Sequence, residues 1–184
     1  MNQITGDHAD WALAVEGDGR AFARVFDRHA ARLRRHAWAL VPTADDADDV
    51  VAVVFLEAWR NRDRVRFVDG SLLPWLLVTA TNSAHTLSRS ARRYRAFLRR
   101  FPVDDPAPDP AEVFSDGQAV AALKGLPLND QRILTLCVIE GLGEREAAAV
   151  LGVAPGTVKS RLHRAKARLH RQYQATTEPI GGTP

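Results

Sequence analysis

Between residues 143 and 169 the chain reads GEREAAAVLGVAPGTVKSRLHRAKARL, and its second half sets cations at the spacing of one helix face. Lys159, Arg161, His163, Arg164, Lys166 and Arg168 alternate with Val158, Leu162, Ala165 and Leu169, which return every three or four residues and hold the opposite face on a core. Cations in such an array suit a polyanion, meeting phosphates and base edges when the helix enters a major groove. The elements that must position them are legible. Ala147, Ala148, Val150 and Leu151 mark a short preceding helix, Gly152 permits a left-handed stop, and Pro155 offers a helix start with φ already set. Two short helices, a tight turn at glycine and a basic second helix describe a helix-turn-helix that binds DNA.

A second group of reactive side chains is Asp45, Asp46, Asp48 and Asp49. Such acids can ligate Mg²⁺ for nuclease work. Here they crowd the first turns of a helix, with no histidine or second acidic cluster beside them. Electrostatic capping and partner binding are the simpler account. Cys137 is the single cysteine, which excludes an intrachain disulfide and a cysteine-built zinc site; it falls in the apolar run 133–139 and is expected to be a small buried hydrophobe. No cofactor, metal site or enzymatic activity is expected.

Composition narrows the class. A chain of 184 residues with 46% hydrophobic residues can bury one ordinary core or two small ones. The net charge is only +3, but the charges are segregated. Arg89, Arg92, Arg93, Arg95, Arg99 and Arg100 form one basic block and residues 159–171 another, while acids gather at 45–49 and 104–109. Such segregation implies several polyelectrolyte or protein partners. Neither a signal peptide nor a bilayer-length apolar run is present, so a cytoplasmic protein without membrane insertion is expected.

In chain order, 7–15 is a short helix candidate and 19–41 a long one, with Phe22, Val25, Phe26, Leu33, Ala37 and Leu40 on its inner stripe. Pro42 ends it. Thr43, with Asp46 at N3, caps a helix to about Asn61 whose apolar face is Ala47, Val50, Val54, Phe55, Ala58 and Trp59. Residues 62–70 are irregular, and Ser71 caps a helix from Leu72 to about Arg100, Pro74 being harmless in its first turn. Trp38, Trp59 and Trp75 are expected in the core. The proline-rich acidic stretch 101–116 is a flexible linker. Residues 115–118 have capping-box spacing before a helix over 118–124, and another helix is expected from about Asn129 to Glu140, closed by Gly141. The fold class is all-α: two small helical domains joined by a flexible linker, over 1–100, 101–117 and 118–175, with a tail at 176–184. The second carries the helix-turn-helix.

With both halves in view, the chain resembles the extracytoplasmic-function (ECF) group of bacterial RNA polymerase sigma factors over about residues 18–172. DDADDVVAVVFLEAWR at 45–60 and PWLLVTATNSAHTLSRSARR at 74–93 are similar to the family's region 2. LPLNDQRILTLCVIEGL at 126–142 and LGVAPGTVKSRLHRAKARL at 151–169 are similar to region 4. The resemblance implies a promoter-specificity subunit that binds core RNA polymerase, through the clamp helices of the largest subunit and the flap of the second-largest, and recognises promoter DNA. Region 4 would read the −35 element as duplex through Lys159, Ser160, Arg161, His163 and Arg164, with Arg164 the best candidate for bidentate contact to guanine. Region 2 would hold the −10 element as single strand with Phe67, Asn82, Arg89, Arg92 and Arg93, the pocket-forming segment being 65–73. Polymerase docking falls to Asp48, Asp49, Ala52, Val53 and Leu56. The chain departs from the family's pattern where Ala52-Val53 replace a polar Gln-Glu pair and where Thr81 and Thr86 replace an arginine and an aspartate. In the family the linker threads the polymerase cleft, and an anti-sigma factor is a possible further partner. The rival reading is a response-regulator type of helix-turn-helix factor acting without polymerase, which would need a receiver or ligand-sensing domain upstream, an α/β receiver requiring strands that residues 7–100 do not offer.

Overall fold

The computed structural model describes residues 6–98 and 117–177, with side chains over 6–89 and 118–175. The expected linker and the 176–184 tail's last residues lie outside the described residues, as do the side chains of Arg92 and Arg93. Among the described residues the regular elements are helical, save one isolated antiparallel bridge between Val68 and Ser71. A receiver-type sheet is therefore absent from the described part of the first half. No described helix is long and apolar enough to cross a membrane.

The first four helices are α1 (Gly6–Val15), α2 (Gly19–Trp38), α3 (Ala44–Arg60) and α4 (Leu73–Leu98). Local chemistry sets their starts. The Asp18 carboxylate accepts from the N–H groups of Arg20 and Ala21 at the head of α2, and Thr43 Oγ1 accepts from Asp46 N at the head of α3. Ser71 Oγ accepts from Leu73 N, so α4 begins one residue later than expected. Together these helices close over Val25, Leu33, Ala37, Val50, Val54, Leu72, Leu76 and Leu77, all essentially without exposure.

The second set comprises α5 (Gly117–Lys124), α6 (Leu128–Leu134), α7 (Glu144–Leu151) and α8 (Pro155–Thr177). The single helix expected over 129–140 is not regular: after α6 the chain widens into a π-helical segment, Thr135–Ile139. The change of pitch rotates Val138 and Ile139 to solvent, 52% and 55% exposed, and leaves Cys137 half-buried, with burial raising its thiol pKa. Gly152 ends α7 at φ +68, its N–H returning to Ala148 O, and Pro155 opens α8 as expected.

Two further corrections concern the first core. Phe26 and Trp59, expected inside, are each 38% exposed. Trp38 and Trp75 are half-buried and pack against the core from its edge. The stripes of α2 and α3 carry more aromatic surface than α4 can cover, and the excess stays outside.

The two helical sets pack against each other. Val68 and Val78 of the first half join Leu136, Ala147, Ala148, Val150 and Val158 in one apolar cluster. Polar contacts flank it: Arg32 with Glu140 at 2.5 Å, and Lys124 Nζ donating to Val41 O at 3.2 Å.

Candidate nucleic-acid interface

The helix-turn-helix forms as the spacing requires. Ala147 and Ala148 let α7 lie close on α8, with Val158 fully buried beneath it, and Ala165 is fully buried further along α8 against Leu126 and Leu134. Lys159, Ser160, His163 and Arg164 are exposed on the far side, and Arg161 is half-exposed at its margin. Arg164 Nε donates to Ser160 O at 3.2 Å, a bond within its own helix, and the residue stays exposed. Ser160 Oγ donates back to Thr157 O. The remainder of the basic face is not uniform. Arg168 NH1 donates to the buried Asp130 carboxylate at 2.5 Å, so this cation ties α8 to α6 rather than meeting DNA freely.

Both helix starts of the motif lack a side-chain cap. At Gly143 the helix is closed from the other side, Gly143 N donating to Glu146 Oε2 at 2.6 Å. Ala154 precedes α8, its carbonyl accepting from Thr157 N and Val158 N, and its methyl group accepts nothing.

The described residues expected at a single strand stand apart along the loop and α4, in different states. Phe67 is half-buried in the 61–72 loop, its ring 4.8 Å from that of His8. Arg89 is exposed and lines, with His85 and Lys124, a cleft where the two units meet. Asn82 is engaged: its Oδ1 accepts from Arg132 Nε of α6 at 2.5 Å. Arg66, which the sequence did not single out, donates from the same loop to Ala149 O and Val150 O at the end of α7, at 2.7 and 3.2 Å. The docked arrangement thus closes the helix-turn-helix over part of the loop. Thr81, where the resemblance expected a cation, is fully buried, its hydroxyl donating to Leu77 O and meeting His36 Nε2 at 2.9 Å. Thr86 is exposed and bonds back to Asn82 O.

The expected protein-docking face is all surface. Asp49 and Ala52 are exposed, Val53 is 42% and Leu56 47% exposed, and Asp48 pairs with Arg34 across two open side chains. What the sequence missed is their neighbour. Phe22, Phe26, Phe55 and Trp59 continue the face into an apolar groove of about 590 Å³ between α2 and α3, with the Arg62 guanidinium 5.4 Å from the Trp59 ring centroid. The signal was present as four aromatics on two facing stripes; a core of this size needs fewer.

Residues 25–94 match the family model "Sigma-70 region 2", and residues 117–169 match "Sigma-70, region 4". The chain is 33% identical over 163 residues to the ECF RNA polymerase sigma factor SigM of Mycobacterium tuberculosis, covering 87% of this chain and 81% of that one. It is 30% identical over 192 residues to the RNA polymerase sigma factor CnrH of Cupriavidus metallidurans, covering 97% and 100%. The solved structure of CnrH in complex with the cytosolic domain of CnrY superposes with a TM-score of 0.63 at 29% identity, over 92% of this chain and 98% of that one. That of RpoE with the anti-sigma factor NepR, from Bartonella quintana, gives 0.57 at 28% identity, over 83% and 96%.

Proposed function

Because this chain belongs to the extracytoplasmic-function group of RNA polymerase sigma factors, and so is an alternative sigma factor directing promoter-specific transcription initiation, we propose how its residues divide that work. Residues 1–100 dock on core polymerase and hold the −10 element, 101–117 are the linker, 118–175 read the −35 element, and 176–184 are a tail. The observation that carries this reading is the sidedness of α8. Its Val158 and Ala165 are fully buried, while Lys159, Ser160, His163 and Arg164 stand exposed together. Such a helix presents to a major groove one base-reading arginine and several phosphate partners.

Asp48, Asp49, Ala52, Val53 and Leu56 meet the clamp helices of the largest polymerase subunit, aided by the groove at Phe26 and Trp59, and the second unit meets the flap of the second-largest. Phe67, Asn82, Arg89, Arg92 and Arg93 hold the melted −10 strand, by stacking and by tracking its phosphates. An anti-sigma factor is a further partner, on the analogy of CnrH and RpoE, whose structures hold CnrY and NepR. The protein works in the cytoplasm and catalyses no reaction of its own.

Transcription in vitro from a promoter library, with core enzyme and this protein, tests the assignment. Arg164→Ala is expected to weaken promoter binding by about 1–3 kcal/mol and to relax selection at one −35 position. Unchanged −35 selection and affinity at fixed salt would remove α8 from base reading.

A further inference from the structure

The 61–72 loop, which carries Phe67, is too short of regular structure to hold its own shape. It has one bridge, with Val68 and Ser71 exchanging N–H···O bonds of 2.9 Å, around a turn in which Asp69 and Gly70 both sit at positive φ, +49° and +76°. Asp-Gly suits such a turn, which shapes the loop's tip but not the path of the chain on either side of it; that is left to the surroundings. The surroundings here are α1. Along ten residues of helix, three side chains meet the loop at its beginning, middle and end. Trp11 Nε1 donates to Arg62 O at 3.2 Å, where the chain leaves α3. The His8 ring packs at a tilt of 48° against the Phe67 ring, centroids 4.8 Å apart. Asp7 Oδ2 accepts from Leu72 N at 2.8 Å and from Ser71 Oγ at 3.3 Å, where the chain enters α4.

Asp7 is itself held in place. It is 1% exposed, and its carboxylate also takes His29 Nε2 at 2.7 Å and Arg28 NH1 at 2.5 Å from α2. Asp10, one turn on, takes the same Arg28 and Arg24. A buried acid with four partners is a costly feature for a surface helix unless it orders something, because losing any partner leaves desolvated charge. What it orders is the loop's return into α4.

We propose that α1 is the positioning element of the −10 reader: Asp7, His8 and Trp11 splint the 62–72 loop in the shape in which Phe67 meets the single strand. This rests on the reading of that loop as the −10 pocket. The splint acts before DNA arrives. Pre-ordering the loop lowers the conformational cost of binding, so the energy of stacking a base goes into discrimination. His8 covers one part of the Phe67 ring, and a stacking base takes what remains. None of the three residues need touch the base; they determine where Phe67 stands.

The test uses full-length protein in holoenzyme and separates α1 from the loop. His8→Ala and Trp11→Phe carry it, because His8 is exposed and the phenyl ring keeps the packing while deleting the Nε1 bond; Asp7→Asn is added if it folds. Each is compared with Phe67→Ala on a library randomised at −10, with −35 discrimination, core-enzyme affinity and thermal melting measured alongside. His8→Ala and Trp11→Phe are expected to lower −10 discrimination by about 3- to 10-fold, a fraction of what a lost stacking contact costs. The −35 discrimination and core affinity should stay unchanged, and His8→Phe should restore selection. If Phe67→Ala alters −10 selection and the α1 variants do not, whatever they do to the melting temperature, the splint is refuted. If Phe67→Ala also leaves selection intact, the loop is not the −10 pocket and the inference falls with that reading.

Discussion

Arg164 and Arg168 lie one helical turn apart on a basic helix and do different work. Arg168 reaches an aspartate 93% shielded at its side chain, whereas Arg164 contacts only its own helix. Removing Arg168 leaves the Asp130 carboxylate without its cation, so Arg168→Ala is expected to destabilise the protein by about 1–2 kcal/mol in urea melts. Promoter sequence preference should be unaffected. Titration gives a second prediction at this scale. Burial holds the His36 imidazole well below its ordinary 6.5, at about 4. Unfolding exposes the ring, so below about pH 6.5 the unfolded chain binds a proton the folded one refuses, and stability falls with pH until about 4. Asp7 does not blur that window. Burial alone would raise its pKa, but His29, Leu72 N and Arg28 outweigh it and bring the carboxyl to about 2. Its stabilisation is therefore complete above 3.8 and is lost only as pH falls toward 2. Between about pH 7 and pH 5 the His36 contribution is about 1–2 kcal/mol, and His36→Gln, which keeps an N–H toward Thr81, should flatten that slope in denaturant melts.

At the scale of elements, the helix-turn-helix depends on its ends. Gly152 supplies the left-handed residue that closes α7, and Pro155 starts α8, but Ala154 between them leaves the first N–H groups of α8 without a side-chain acceptor. Ala154→Ser is expected to stabilise the protein by roughly 0.5–1 kcal/mol. Matched urea melts check this, and a loss of stability would mean that α8 begins elsewhere. The aromatic groove between α2 and α3 makes the complementary point. Ala52 and Leu56 are exposed on the same side as Phe26 and Trp59, so two helices share one apolar surface that their own core does not need, while Val53 lies exposed on the α4 side of α3. Exposed apolar surface of this continuity is what a partner helix covers.

For the whole molecule, the docked arrangement has a consequence for DNA. Asn82 is bonded to Arg132, Arg66 to the end of α7, and Val68 and Val78 lie in an apolar cluster with the helix-turn-helix. On the proposed division of promoter reading between the two units, DNA binding replaces these contacts. Val78→Asp places a carboxylate in the apolar seam. It is expected to separate the units and enlarge the radius of gyration in small-angle scattering, with helix content retained. An unchanged radius would show that the seam tolerates the charge and that other contacts hold the units together.

The sequence by itself determined most of the helices, the turn of the helix-turn-helix and the family, but not the π-helical widening at Thr135–Ile139. Thr43 with Asp46 and Gly152 with Pro155 act within four residues, the range over which helix hydrogen bonds and caps form, so their effect is legible locally. The face of α8 was legible for the same reason: one periodicity decides which side is basic and which is buried. Tertiary structure decided the partners. Arg168 pairs across 38 positions, Arg132 across 50 and Asp7 across 65, and no local spacing encodes which buried acid or amide a long side chain will meet. It also decided that Phe26 and Trp59 stay outside. Periodicity ranks the residues on a stripe, but how much of the stripe is covered depends on the area the neighbouring helices have to offer.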